Sequence, residues 1–320
     1  MAHKCLIDDG NNCYGIEVSH GSRLRKSKKT QQIFANEVIL SGGAINTPQL
    51  LLLSGIGPRN ELENVGVDCK LHLPGVGKNL QDHLQFIMTY NCKQSVSLLK
   101  IQLTAAYELW KWKRDPSLSP LLSTTPIPVG GFDKLAISDA IPNMQHHFAA
   151  FHVRDHGRKP MWKHRYESHI CTLQQLSKGE ITLKSSNPFD HPLIDPKCLS
   201  VEQDLVDLVA AVKKSREVFN QPALDDFNAG EHAPGKHIQT DDEIKEWLKQ
   251  NLETCYHPTC TARIGPDDMS VCDNDFKVKN ISGLRVADAS VMPDLISGNT
   301  NAPTTMLAEM CATELLRNAA

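Results

Sequence analysis

The run FANEVILSGGAINTPQLLLLSGIGP (34–58) constrains the fold more than any other stretch of the chain. FANEVIL reads as a mostly buried strand, and Gly42 and Gly43 follow as a tight turn. INTPQLLLLSG then predicts a helix with Asn46 or Thr47 as cap and Pro48 at the first helical position. Strand, glycine turn and helix in series are one step of an α/β architecture. At roughly 150 residues per domain, 320 residues leave room for about two domains and a sizeable core.

The remaining pattern extends this mixed α/β class. KCLIDD, GNN and CYGIEVSH predict a hairpin, and the basic RLRKSKKT after it a solvated loop. LPGVGKNLQDHL (73–84) demands an irregular path through Pro74, Gly75 and Gly77. FIMTYNC (86–92) is strand-like and LLKIQLTAAYELWKWKRD (98–115) helix-like, and KGEITLKSS (178–186) predicts one alternating strand. Ser200 with Gln203 forms a capping box before a helix whose Leu205, Leu208, Val209, Val212 and Phe219 share a face. Thr240 with Glu243 opens a second helix carrying Ile244, Trp247 and Leu248. GLRVADAS (283–290) is a short strand into a turn, and a closing helix starts at Pro303.

Charge and cysteine use exclude several functions. With 34 basic and 37 acidic residues the net charge is −3, so no field of one sign exists to hold nucleic acid or an anionic membrane. No stretch approaches the ~18 apolar residues of a membrane span, and the first twenty residues carry no targeting pattern. Ten cysteines lie dispersed without a CxxC pair, unlike a secreted disulfide framework, and this favours a reducing compartment.

Two segments carry chemistry. In CYHPTCTARIG (255–265), Pro258 holds His257 away from helical geometry, where an imidazole can be presented to a ligand; a lone histidine is more often structural. In GLRVADASVMPDLISGNTNAPTTMLAEM (283–310), a Gly/Asn-rich loop feeds a helix N-terminus, which offers free backbone N–H groups to an anion or forms a plain tight turn. His146, His147, His152 and His156 crowd one stretch, but no Cys or carboxylate set completes a shell at usual spacing, and Cys255 and Cys260 flank His257 without a zinc pattern. No metal site is expected.

Taken in order, residues 40–58, 73–84, 255–265 and 283–310 resemble the glucose–methanol–choline (GMC) oxidoreductases, and the resemblance runs through nearly all 320 residues. FHVRDHGRKP (151–160), LKSSNPFDHPLIDP (183–196) and CYHPTCTARIG look like its choline-oxidising branch. The resemblance implies FAD-dependent oxidation of a primary alcohol, choline to betaine aldehyde, with hydride passing from the carbinol carbon to flavin N5. His257 would be the base, an imidazole of unperturbed pKa about 6.5 suiting that task. The Asn299 amide would donate to the developing alkoxide. Asp288 would accept from a ribityl hydroxyl and Ala289 face the pyrophosphate, with Asn301 and Pro303 bordering the isoalloxazine. Gly42, Gly43 and Ala44 would admit close backbone approach on the adenosine side, or form only a structural turn.

On the substrate side the resemblance implies Tyr256 beside the base, and His156 nearby. Gln85 stands where choline-oxidising relatives place an acid, which puts choline itself in question. A flavin domain is expected over 1–84 and 254–320, with an antiparallel-sheet substrate domain over 85–253 and the site where they meet. Reduced flavin would pass electrons to a quinone or another acceptor. The family's strand, GxGxxG turn and helix are absent from the chain. The expectation is therefore a part of a longer, mitochondrial protein addressed upstream of Met1, or a shorter product that holds FAD poorly. Another GMC alcohol or glucose dehydrogenase or oxidase, and a catalytically silent fragment, are the alternatives.

Overall fold

The structure is a computed structural model that describes residues 1–20, 29–95, 97, 99–123, 125, 127–152 and 163–319. It is of the mixed α/β class. The chain divides into two compact units: Met1–His83, Gln175–Val201 and Tyr256–Ala320 form the first, and Leu84–Gln174 with Glu202–Cys255 the second. Among the described residues no helix is long and apolar enough to cross a membrane.

The first unit opens with the expected hairpin. Ala2–Ile7 and Cys13–Ser19 pair antiparallel, and Thr30–Phe34 adds a third strand. Asp8 closes the turn by accepting from the N–H groups of Gly10 and Asn12 at 3.0 and 2.8 Å. Val38–Leu40 pairs in parallel with Leu284–Val286, so the 34–58 run and the 283–310 segment begin side by side. Leu51, Leu52, Ile56, Leu62, Val271 and Val286 fill the core around them.

The helix after Gly42 departs from the expected one. It spans Gly43–Leu53 with Gly42 at its N-cap and no side-chain cap from there, and Pro48 lies inside it. An interior proline strips the carbonyl four residues earlier of its N–H partner. Here that carbonyl is Ala44 O, and the Thr261 hydroxyl donates to it at 2.7 Å. Asp288, 245 positions along the chain, supplies the missing cap: its Oδ2 accepts from Gly43 N–H at 2.9 Å. The same oxygen accepts from Thr47 Oγ1 at 2.6 Å. Tertiary partners thus replace the local cap that Asn46 or Thr47 was expected to give.

The 73–84 segment is held by its glycines. A Cβ on Gly75 would lie 1.9 Å from Met269 O, and Gly77 adopts φ +78 with Ile181 O 2.2 Å from its virtual Cβ. Beyond them Lys78–Leu80 pairs with Gly179–Thr182, which pairs with Leu193–Asp195. Lys78 Nζ sits 2.6 Å from both Glu61 and Glu180. These bonds are why 175–201, which the sequence reading set inside 85–253, pack with the first unit.

The second unit is an antiparallel sheet ordered Asn228–Ala233, Leu84–Cys92, Arg165–Thr172, Met144–Ala149, Val129–Asp133, with Glu253–Thr254 also beside Leu84–Cys92. Strand alternation gives it two faces. On one, Phe86, Met88, Tyr90, Met144 and Ile170 are buried under the Glu202–Phe219 helix, where the Phe219 ring stacks 4.2 Å from Tyr90. The other carries Gln85, Thr89, Gln145, His147, Glu167, His169 and Cys171. The helix buries Leu208, Val209, Val212 and Phe219 as its periodicity predicts. The Ser200 N–H, however, goes to Lys197 O at 3.1 Å. Asp241–Asn251 has both bonds of the Thr240–Glu243 capping box.

Candidate active site

His257 and the Asp82, His83 and Asn299 groups bonded to it lie in the first unit. Tyr256 takes the left-handed conformation at φ 62, which turns the chain sharply just before His257. Thr259 and Gln81 then exchange backbone bonds, Thr259 N–H to Gln81 O at 2.9 Å and Gln81 N–H to Thr259 O at 3.3 Å. The segments 255–265 and 73–84 are thereby locked together. Three consecutive residues of the second segment do the rest. The Gln81 side chain donates to Asp294 Oδ1 and accepts from Leu295 N–H, both at 3.3 Å, and so ties down the loop that carries Asn299. Asp82 Oδ1 accepts from the His257 backbone N–H at 2.9 Å. His83 Nδ1 lies 3.0 Å from His257 Nδ1, the two rings nearly perpendicular at 86°.

On the other edge of the ring, Asn299 Nδ2 lies 3.3 Å from His257 Nε2. An amide nitrogen only donates, so the tautomer that makes both contacts hydrogen bonds has Nε2 accepting from Asn299 and the ring proton on Nδ1, directed at His83 Nδ1. Asn299 is exposed and His83 is fully buried, so the row runs from the interior through His257 to the exposed Asn299 amide. Lys178 hydrogen-bonds Asp294 at 3.0 Å and holds its carboxyl below the ordinary range. From 73–84 the sequence marks Pro74, Gly75 and Gly77 and a family motif but no site residue; the signal for the site is QDH itself, three side chains of different reach on one constrained turn.

The residues expected at the cofactor separate into two groups. A cavity of about 480 Å³ opens beside Ser41 and Gly42, lined also by Ile39, Asn46, Thr47 and Leu50. Gly43 has open space where a Cβ would point, while Ala44 is buried. Asn301 is exposed and Pro303 half-buried in the first turn of the Asn301–Ala319 helix, which begins two residues before the expected Pro303. Gly298, just before Asn299, also faces open space. These places can receive a large ligand. Asp288 is different: it is 5 % exposed and accepts from Gly43, Thr47 and, through Oδ1, Ser290 N–H at 2.8 Å. Of the roughly four acceptor sites of a carboxylate, one is left for an outside hydroxyl. Ala289 O accepts from Cys260 N–H at 3.2 Å, joining the two chemistry-bearing segments again.

The substrate candidates are scattered. Gln85 is buried in the second unit, opposite Cys171 on one side and Glu253 on the other. Tyr256 is 63 % exposed. Of the aromatic rings that could meet a cation, Trp110 and Trp112 lie exposed on the Leu99–Arg114 helix, whereas Trp247 is a packing residue set edge-on against Phe86. His156 and Trp162 lie outside the described residues. The clustered histidines part company: His146 hydrogen-bonds Ser168 at 3.2 Å, and its burial pushes its pKa down, whereas His152 binds Glu167 at 2.9 Å. Glu167 is fully buried and also holds His169 at 2.9 Å.

Two GMC oxidoreductase family models match the chain, one over residues 1–85 and the other over 175–308. A mouse protein named "Choline dehydrogenase, mitochondrial" is 39% identical over 315 residues, covering 96% of this chain and 51% of its own length. The "Oxygen-dependent choline dehydrogenase" of Acinetobacter baumannii is 39% identical over 318 residues, covering 97% of this chain and 56% of its own. The chain thus spans about half the length of the curated relatives it matches. A crystal structure of formate oxidase shares the fold, with TM-score 0.88 at 24% identity over 99% of this chain and 60% of that one.

Proposed function

The chain belongs to the GMC oxidoreductase family, whose members are FAD flavoproteins, and on that premise we propose that its protein oxidises the CH–OH group of a primary alcohol. Choline is the substrate named by the relatives at 39% identity. The observation that carries the reading is the row His83, His257, Asn299, with contacts of 3.0 and 3.3 Å along it.

An alcohol is a poor hydride donor until its hydroxyl proton is leaving. His257 Nε2 takes that proton as the Asn299 amide turns its N–H from Nε2 to the substrate oxygen. The ring becomes an imidazolium whose Nδ1–H stays bonded to His83 Nδ1, so the new charge is shared with a buried acceptor and the ring does not turn. Asp82 fixes the backbone of the base at the same time. Asn299 donates its amide N–H to the alkoxide oxygen as charge develops there. FAD, when bound, supplies the two-electron acceptor. Gly42, Gly43 and Ala44 with the adjoining cavity would hold its adenosine side, and Ala289 its pyrophosphate. Asn301 and Pro303 at the open helix end would border the ring system, and the last acceptor site of Asp288 would meet a ribityl hydroxyl. A quinone or another acceptor would take the electrons onward, and a mitochondrial location follows the mammalian relatives.

A second reading, oxidation of an uncharged alcohol, is favoured by Gln85, a neutral amide buried on the polar face of the second unit's sheet. Glu253 directly across the strand pair supports choline, since it brings a carboxylate to the same row. The test is turnover of the FAD-loaded protein with a dye acceptor, comparing choline with uncharged primary alcohols. Preference for choline and formation of its aldehyde are expected. Preference for the uncharged alcohols establishes the second reading, and oxidation of neither overturns both.

A further inference from the structure

We infer that His147, Cys171 and Cys255 form a binding site for a thiophilic d¹⁰ metal ion, of which Zn²⁺ is the representative. The site lies wholly in the second unit, on the same cross-strand row as Gln85 and Glu253, and its test by metal titration requires no alcohol oxidation. Antiparallel register builds two thirds of it. Cys171 pairs with Gln145, and His147, two residues further along the same strand, faces the same side one diagonal step away. Cys171 also pairs with Gln85, and Gln85 with Glu253, so a single cross-strand row runs to the edge strand Glu253–Thr254. Cys255 follows that strand directly and brings its sulfur back to the row. One imidazole nitrogen and two sulfurs then lie within 4.8 Å of one another.

Three arguments favour a metal ion. Imidazole with two thiolates is the donor set that zinc prefers, and three protein ligands with a fourth position left to water is a recurrent zinc arrangement. Metal–sulfur and metal–nitrogen bonds of about 2.3 and 2.0 Å put tetrahedral ligands roughly 3.5 Å apart, so side-chain movements of about 1 Å close the shell. Cys171 is fully buried while His147 and Cys255 are half-buried, which gives a firm base and an open side for entry. Binding displaces two thiol protons to the buffer and leaves the redox state of protein and ion unchanged. The bound ion would staple the segment after Glu253–Thr254 to the Met144–Ala149 strand across the strands between them.

The sequence could not show this site, because its ligands are far apart and only the sheet register unites them. The test is titration of the reduced, chelator-treated full chain with Zn²⁺ against a chromogenic chelator. A parallel titration with Cd²⁺ reads the thiolate-to-metal charge-transfer band. One equivalent is expected, with a dissociation constant of about 1 μM or tighter and a Cd²⁺ band of two-thiolate intensity. His147→Ala, Cys171→Ser and Cys255→Ser should each weaken binding at least the ~10–100-fold that even an outer partner of a metal ligand costs. Cys198→Ser, at an exposed cysteine outside the cluster, should not. Absence of a one-equivalent event, a Cd²⁺ band of one thiolate or none, or affinity indifferent to the three changes would overturn the site. So would recovery of Cys171 and Cys255 as a disulfide under the binding conditions. The Cd²⁺ band of the unaltered chain keeps the test decisive if a variant fails to fold.

Discussion

Replacing Asp288 with alanine separates a residue that holds the protein together from one that only meets a cofactor. Its carboxylate accepts from Gly43 N–H at 2.9 Å, Thr47 Oγ1 at 2.6 Å and Ser290 N–H at 2.8 Å, and it is 5 % exposed. Thr47 Oγ1 in turn accepts from Gly42 N–H at 3.0 Å, so the carboxylate organises the whole first turn of the Gly43–Leu53 helix. A hydrogen bond to a charged group contributes about 1.5–3 kcal/mol, and three that share one carboxylate are not additive. Leaving buried donors unpaired puts the loss for Asp288→Ala at about 3–5 kcal/mol, a large part of the ~5–15 kcal/mol that stabilises a typical domain. Asp288→Asn, which keeps one acceptor, should lose about half as much.

The tryptophans among the described residues, Trp110, Trp112 and Trp247, fall in the second unit, so their fluorescence would report the wrong part of the molecule. Amide hydrogen exchange of the 43–53 peptide, in the chain without FAD, reads the effect directly. A loss of about 3 kcal/mol corresponds to roughly 150-fold faster exchange in that peptide. Exchange within about threefold of the unaltered chain would refute the capping argument and leave Asp288 with a role only toward ligand.

Three further outcomes follow from other contacts. Thr261→Val removes the donor to Ala44 O and should destabilise the chain by about 1–2 kcal/mol in urea unfolding, with a null result showing that the proline needs no substitute partner. Phe219→Ala removes the ring packed against Tyr90, Phe148 and Tyr166 and should cost about 3–5 kcal/mol, read by tryptophan fluorescence in the second unit. The Lys197 and Lys78 ammonium groups hold the Glu180 carboxyl below its usual range. Its contribution is therefore full above the ordinary glutamate pKa and is lost as pH falls through the depressed one. Glu180→Gln should flatten stability against pH across that acid window, and an unchanged slope would show the ion pairs to be energetically silent.

Much of the fold was legible because its signals are local. The 2–19 hairpin, the Leu84–Cys92 strand and the Thr240–Glu243 capping box depend on residues within a turn or two of one another, and periodicity carries that information. The start of the Gly43–Leu53 helix was misplaced because its cap and its substitute donor, Asp288 and Thr261, come from more than 200 positions away. A proline is a sound local sign of a helix start only where no distant hydroxyl can take the place of its N–H. The site shows the same division. His257 and Asn299 stood out by motif, whereas the roles of Gln81, Asp82 and His83 depend on which lone pair each side chain reaches. The same limit explains why His147, Cys171 and Cys255 carried no spacing signature.

The central claim is that His257, held between His83 and Asn299, is the group that takes the alcohol's proton. Its most direct test is the turnover of FAD-loaded His257→Gln protein, with retained flavin verified from its absorbance. The account predicts that flavin stays bound while alcohol oxidation falls by about 10²–10⁴-fold. Turnover within a few-fold of the unaltered protein, with flavin equally bound, would contradict it.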